Sequence, residues 1–586
     1  MTKMKNPTYA KFINEVANHI STLSKDDLIE IILTFAESQN SNDRNAFLLL
    51  LKNKSKINSK SDGQTSSINM SSEQLIEAIQ EFEKRIQNGE FYDEEKSCQA
   101  FEREERSYWQ DYDDDDIDFS EEEYVTEAID FLETAKLFFR SQDIETATAA
   151  YEMMFDIFEN SEYYDDEYFT YGFTFEDTLD ADFLKEHKTI NLRCQYLRVA
   201  DTLDFQYVYN RLINEQDLFL SDIIEISRDP LPSLDQFIDG LIEFIGNNPK
   251  YDYHLVDVLF IRGGIDEIRK FAYNNGNRHP SVFLYYYESI KEKSGQPDVL
   301  KTIFDGIEII PEEYQIRSYL GLDLIKIAKE TNDRNYLTIG YNTAFYSNPT
   351  LKNLTYFINH IISKNYISEI EKMRNYLKNK DITNRDSFAY SIENTQNDRN
   401  IFSTATAKID IKALIVGKFL LDGIENLIEN INPKYYLGFS GEHKYIAIIT
   451  ALTLQAISKG FALVVVEKLL DHYCLDTQSD EYILLKEMIT NRSQEINMSQ
   501  KNLENTLKRI ESLSVNRVAH ILGNKLRGGY DSACLLLVAC AEVEQYINHS
   551  GNTLIQRIDG EFKKFSAFRR PLKTLTASSK ILHAVK

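Results

Sequence analysis

The chain has 586 residues, a mass of 68.1 kDa and a formal net charge of −28, so it is too long for one compact core and must form several domains or an extended array. Its 22 glycines and 10 prolines are roughly 5% of the residues against about 12% in average usage, which favours long helices joined by short turns. Hydrophobic content of 42% and aromatic content of 12% exclude a wholly disordered chain.

The acidity is local. Residues 90–186 carry 33 acidic and 6 basic side chains, which leaves the remainder close to neutral. That pattern suits one strongly negative face, useful for solubility or for a basic partner, and argues against binding nucleic acid with the whole surface. Cys98, Cys194, Cys474, Cys534 and Cys540 are scattered and odd in number, as in a reducing compartment. The N-terminal MTKMKNPTYAKFINEV lacks the apolar core of a signal peptide, and the longest uncharged apolar run, Ala533 to Ala541, is half a membrane span. A cytoplasmic protein without a membrane partner is expected.

In chain order, residues 1–52 read as a small N-terminal helical module, with caps at Ser24–Asp27 and Asn40–Asp43. Residues 53–71 are nearly devoid of apolar side chains and read as a flexible linker. Residues 72–190 form an acidic helical region. It opens with a helix from Ser71 or Ser72 that carries Leu75, Ile76, Ile79, Phe82 and Ile86, and its Asp113–Asp116 run reads as a loop. From Ala128 to Ser161 the spacing fits one tetratricopeptide-like (TPR-like) hairpin. Ala135 and Ala147 fall where small residues let two helices approach, and Phe138 and Tyr151 where aromatics fill the groove.

Residues 191–380 read as a helical-repeat array. Pro249, Pro280, Pro311 and Pro349 are spaced by 31, 31 and 38 residues, about one hairpin each. Within it Ile316, Tyr319, Leu320, Leu324, Ile327 and Ala328 recur at helical spacing, Thr331-Asn332-Asp333 interrupts them, and Tyr336 to Phe345 begins the next set. A polar break at 381–406 precedes C-terminal helical hairpins at 407–556. Residues 557–586 then form a basic capping helix and tail, with Ile558, Phe562, Phe565 and Phe568 as its apolar side.

LSKDDLIEIILTFAESQNSNDRNAFLLLL, SEQLIEAIQEF, the hairpin with Ala135 and Ala147, IRSYLGLDLIKIAKETNDRNYLTIGYNTAFYSNPTLKNLTYF, GGYDSACLLLVACAEVEQYI and FKKFSAFRRPLK follow one another in a telling order. In that order the chain resembles the helical region behind the finger of bacterial SWIM zinc-finger proteins. The finger itself needs a Cys-x-Cys pair with a further Cys and His, and this chain has no Cys-x-Cys. The resemblance therefore implies the helical-repeat fold and carries over neither the finger's metal site nor its nucleic-acid role.

Motifs with chemistry are few. Asp111, Asp113, Asp115 and Glu122 match a calcium-loop register, but Asp116 replaces its turn glycine and Asp118 its apolar residue, so a solvated acidic loop is expected. His472 and Cys474 are two apart with no further ligands. Gly263-Gly264 and Gly528-Gly529 read as helix-joint glycines rather than a phosphate loop, and no G-x-S-x-G occurs.

The sequence thus predicts an all-α protein, an α-solenoid of antiparallel TPR-like hairpins behind a small helical module. The expected function is that of a non-enzymatic scaffold binding a protein or peptide, with no catalytic residue, cofactor or metal. Its partner-binding candidates are Tyr151, Tyr163, Tyr164, Asp165, Asp166, Tyr285 and Tyr286, although successive tyrosines on one helix place at least one in the core. The alternative is a nucleic-acid-associated factor working through the basic tail, with Lys563, Lys564, Arg569 and Arg570 as contacts.

Overall fold

The computed structural model describes residues 70–88, 90, 123–160, 162–164, 170–172, 179–215, 217–291, 293–380, 388–389, 400–431, 434 and 444–583. The expected N-terminal module, the calcium register, Asp165, Asp166 and most of the 381–406 break lie outside the described residues, as do the side chains of Tyr163 and Tyr164. The fold is all-α. Strand is confined, among the described residues, to an antiparallel pair, β1 (Glu162–Tyr164) with β2 (Thr170–Gly172), and a two-residue parallel pair, β3 (Phe388–Ala389) with β4 (Ile409–Asp410).

The chain divides into two compact units, Met1–Gly246 with His254–Glu267, and Asn247–Tyr253 with Ile268–Lys586. The first contains α1 (Ser72–Gln87), α2 (Glu123–Arg140), α3 (Ile144–Asn160), α4 (Ala181–Val199), α5 (Gln206–Asn214), α6 (Leu220–Glu225) and α7 (Leu234–Ile245). Ser71 starts α1 with a capping box: its hydroxyl accepts the Gln74 amide at 3.2 Å while the Gln74 side chain accepts the Ser71 amide at 2.9 Å. In the α2–α3 hairpin Ala135 and Ala147 are fully buried where the spacing put them.

Helix α4 is different, because it is buried on all sides from Thr189 to Tyr196, polar residues included. The Arg193 guanidinium meets the cost of that burial by donating to the Ile223 carbonyl at 2.7 Å and to the Asp229 carbonyl. Tyr196 donates to the Pro232 carbonyl at 2.6 Å. One helix thus satisfies the loose carbonyls of the segments wrapped around it.

Helix α8 (Asp252–Asn275) is interrupted at Gly263 and at Gly264, whose φ of 65° and ψ of −153° no helix contains. In the second unit α9 (Pro280–Lys291), α10 (Gln296–Ile309), α11 (Arg317–Thr331), α12 (Arg334–Ser347), α13 (Leu351–Ser363) and α14 (Ile367–Lys378) follow, each packed on the next. The four spaced prolines all stand at or beside joints between helices. Asn332 ends α11 in the left-handed conformation, and the Asp333 carboxylate caps α12 through the Asn335 and Tyr336 amides. Asp323, almost fully buried on α11, accepts the Tyr287 hydroxyl at 3.0 Å and pairs with Lys291 at 2.7 Å, which ties α9 to α11.

The remainder of this unit is α15 (Ile411–Asp422), α16 (Glu425–Ile428), α17 (Lys444–Ile457), α18 (Val464–Tyr473), α19 (Tyr482–Glu495), α20 (Gln500–Gly523), α21 (Tyr530–Asn548), α22 (Gly551–Glu561) and α23 (Ser566–Ser578). Helix α21 is the hub: α17, α18, α20, α22 and α23 all pack on it, and every residue from Leu536 to Glu544 is buried. Its uncharged Ala533–Ala541 run is therefore a core helix, apolar on every side because protein covers all of it but the half-buried Leu535. The basic C-terminal segment expected as one capping helix is two helices, α22 and α23, broken at 562–565. Ile558 and Phe568 enter the core and Phe562 and Phe565 are half-buried beside it.

Helices α11 and α12 approach closely where Gly321 faces Gly340. A Cβ on Gly321 would lie 2.7 Å from the Ala344 amide nitrogen and 2.8 Å from the Gly340 carbonyl, both backbone atoms that cannot yield. Gly321→Ala is therefore expected to destabilise the second unit by about 2 kcal/mol despite alanine's better helix propensity. Gly523→Ala, which meets open space, is expected to move stability by less than about 1 kcal/mol. Thermal and urea melts of the two variants beside the parent check the contrast.

Candidate functional site

Among the C-terminal helices the charge is inverted relative to the chain as a whole. Residues 500–586 carry fourteen Lys and Arg against seven Asp and Glu, and two of those acids, Glu542 and Glu544, are buried. The basic side chains do not spread evenly. Lys468 and His472 on α18, Arg527 in the turn before α21, and Arg570 on α23 line one cleft of about 750 Å³. All four are exposed. Its floor is Leu535, Pro571 and Leu575, and the first turn of α21 contributes Tyr530, Asp531 and Ser532. Lys468 reaches the Ser578 hydroxyl at 3.2 Å. Asp531 is the cleft's single acidic residue.

The walls of this cleft are held together from below. Glu542, 1% exposed at the middle of α21, accepts the Val465 and Val466 amides at 2.8 and 3.1 Å, so it caps the N-terminus of α18. Its other oxygen accepts the Ser579 hydroxyl at 2.6 Å, just past the end of α23. One buried carboxyl thereby fixes both helices that carry the basic side chains. The Cys534 thiol adds a contact from α21 to the Phe568 carbonyl at 3.7 Å.

Of the tail residues expected to touch nucleic acid, Lys563, Lys564 and Arg570 are exposed. Arg569 is half-buried in a two-pronged pair with Asp559, at 2.6 and 2.7 Å, which holds the Asp559 carboxyl below its usual range. Arg570 alone of the four lines the cleft. Two of its companions, Lys468 and Arg527, come from segments that sequence reasoning did not single out, because they are 102 and 43 residues away from Arg570. His472 faces this cleft while Cys474 is fully buried against the Ile448 carbonyl, so the two point apart.

Tyr285 is half-exposed with its ring near Phe402, and Tyr286 is buried. Tyr151 is fully buried, and instead of lining a groove its hydroxyl sits 2.9 Å from His187 Nδ1 and 3.4 Å from the Leu132 carbonyl. His187 belongs to a polar cluster of α2, α3 and α4. Its Nε2 lies 3.3 Å from Glu133 Oε1, and the Lys136 ammonium bridges Glu133 at 3.0 Å and Glu186 at 2.8 Å. The His187 ring and the Lys136 ammonium pull the Glu133 carboxyl down to about 2, against the opposing effect of burial. Burial pushes the Cys194 thiol up to about 12 and those of Cys474, Cys534 and Cys540 up as well, which leaves them protonated.

Comparison of the chain with family models, with curated proteins and with solved structures returned no match.

Two outcomes follow from this geometry. Glu542→Ala leaves two buried amides and a buried hydroxyl without their acceptor, and should destabilise the second unit by about 3 kcal/mol; Glu542→Gln, which keeps one acceptor oxygen, should recover part of that in thermal melts. Because the folded-state pKa of Glu133 is depressed, its stabilisation is complete above about pH 4.5 and is lost as pH falls toward about 2. The stability gap between the parent and Glu133→Gln, followed by circular dichroism against pH, should close over that window.

Proposed function

We propose that this chain is a non-enzymatic interaction scaffold that holds an acidic segment of a partner protein in the C-terminal basic cleft. The observation that carries this reading is the cleft itself. Exposed Arg527 and Arg570, which form no ion pair with the described residues, stand over an apolar floor of Leu535, Pro571 and Leu575. A binding site of this kind takes a ligand that is both anionic and partly apolar. An extended peptide with carboxylates and an aliphatic side chain has both features, and about 750 Å³ accommodates a few residues of it. The step-by-step packing of α9 to α14 supports reading that part of the chain as a short α-solenoid that presents the cleft-bearing bundle.

Nucleic acid is the competing ligand for a basic surface. Its phosphates would engage Lys563 and Lys564 as readily as the cleft, but base stacking favours exposed phenol, phenyl or indole rings, and the cleft's Tyr530 is buried, which leaves the exposed His472 imidazole as its one accessible ring.

The test uses the full chain and a fluorescent peptide of alternating glutamate and leucine, with an oligonucleotide of equal charge beside it. Peptide anisotropy should rise on binding, fall with salt, and weaken at least tenfold in the Arg527→Ala/Arg570→Ala variant while Lys563→Ala/Lys564→Ala changes it little. Tighter binding of the oligonucleotide, with the two pairs of variants reversed in effect, would overturn the reading.

A further inference from the structure

The polar cluster of the first unit plays no part in that function, and its geometry points elsewhere. Three groups from two helices converge: Glu133 from α2, and Glu186 and His187 from α4, with one ligand atom of each within 4.8 Å of the others. The separation of Glu133 Oε1 from His187 Nε2, 3.3 Å, equals the edge of a tetrahedron whose centre lies about 2.0 Å from each corner, the spacing of oxygen and nitrogen ligands around zinc. His187 is fully buried, and its Nε2, 3.3 Å from Glu133 Oε1, makes no hydrogen bond of ordinary geometry. A fully buried ring nitrogen left short of an ordinary hydrogen bond beside two carboxylates is a second and independent feature beside the acidic pair.

The ring is also oriented as a ligand's would be. Tyr151 lies 2.9 Å from Nδ1 and reaches the Leu132 carbonyl at 3.4 Å. With the hydroxyl donated to Leu132, Nδ1–H can donate to the phenol oxygen, which leaves Nε2 as the nitrogen toward the carboxylates, its lone pair available to an ion once any proton there is released. The cationic position between the carboxylates is filled by Lys136, whose ammonium touches both. Lys136 itself is buried, its side chain 8% exposed, whereas Glu133 and Glu186 are 45% and 38% exposed at theirs, so the cluster meets solvent on the carboxylate side.

We propose that Glu133, Glu186 and His187 form a binding site for a borderline divalent metal ion such as Zn²⁺, with the Lys136 ammonium as the internal cation that the metal displaces. The exchange balances. The ion gains one oxygen from each glutamate and the Nε2 lone pair, any proton on Nε2 is released to water, and Lys136 turns outward carrying its charge. One imidazole with two carboxylates selects zinc, cobalt or nickel over calcium and magnesium, which take oxygen ligands alone. Water completes the coordination on the exposed side.

The experiment titrates Zn²⁺ and Co²⁺ into the chelator-treated full chain, by calorimetry and by the visible absorption of Co²⁺. The parent should bind one ion at a site whose Co²⁺ spectrum shows low-symmetry coordination. Glu186→Gln should weaken that site at least tenfold. Lys136→Gln, which removes the competing cation, should tighten it at least tenfold, an increase that loss of a merely structural lysine would not produce. His187→Ala should abolish the Co²⁺ band, and His187→Gln serves if the alanine variant fails to fold, as judged by circular dichroism. The proposal is overturned if folded parent and folded Lys136→Gln both lack a stoichiometric site, or if the bound ion is indifferent to Glu186→Gln and so rests on surface carboxylates elsewhere.

Discussion

The carboxyl of Glu542 is the constraint on which the C-terminal part of the molecule depends. A carboxyl group in the middle of an otherwise apolar helix is expensive to bury, and it is tolerated because three donors converge on it. Two of them are the leading amides of α18, groups that every helix start leaves without partners; the third is the Ser579 hydroxyl. The same bonds that make the burial tolerable fix where α18 begins and where α23 ends. Since Lys468 and His472 ride on α18 and Arg570 on α23, the spacing of the basic side chains across the cleft is set by a residue that never reaches the surface.

The first unit solves the opposite problem with the opposite charge. There Arg193 sits at the centre of a helix buried on all sides and donates to carbonyls of the surrounding chain, at Ile223 and Asp229. Desolvation lowers the guanidinium's pKa, yet arginine keeps its proton because its ordinary value is so far above neutrality. In each unit one helix is enclosed by its neighbours, and one charged side chain on it serves the backbone groups that the neighbours leave unpaired. Apolar packing alone would permit several arrangements of the outer helices, whereas directed bonds to named amides and carbonyls select among them.

What the sequence makes legible is whatever depends on neighbours within a few residues. Spaced prolines mark joints because the ring fits the first turn of a helix or the chain between helices far better than a helix interior, Asn332-Asp333 marks an end and a start because both residue types act locally, and Ala135 with Ala147 marks a close crossing. The same local rules are silent about α21. An apolar run of this length fits one side of a hairpin as well as the centre of a bundle, and only the five helices packed on it decide between them. The tail shows the limit differently: Ile558, Phe562, Phe565 and Phe568 have helical spacing, but the chain turns at 562–565 so that Phe568 can enter the core beside Tyr530, their rings 6.0 Å apart and perpendicular. Neither candidate site is a motif. One collects side chains from positions 468 to 575, the other from 133 to 187, and in both the functional atoms meet through folding rather than through spacing.

Charge segregation gives the two sites their different characters. Most of the excess negative charge lies within residues 90–186, whereas residues 500–586 are net positive, so a single figure of −28 describes no part of the surface. The acidic region supplies more carboxylates than lysines and arginines can neutralise, and at Glu133 and Glu186 one ammonium serves two of them. That imbalance is why a doubly charged ion has a reason to take the lysine's place. In the basic cleft the imbalance has the other sign, with Asp531 alone against three permanent cations and a histidine. Desolvating an anion there is offset by Arg527 and Arg570, which form no ion pair with the described residues, whereas Arg569, locked to Asp559, would have to break a two-pronged pair before it could serve a ligand. Recognition in the proposed reading therefore falls to Arg527 and Arg570, and their positions are set by where the turn before α21 and α23 place them more than by how many basic residues the tail contains.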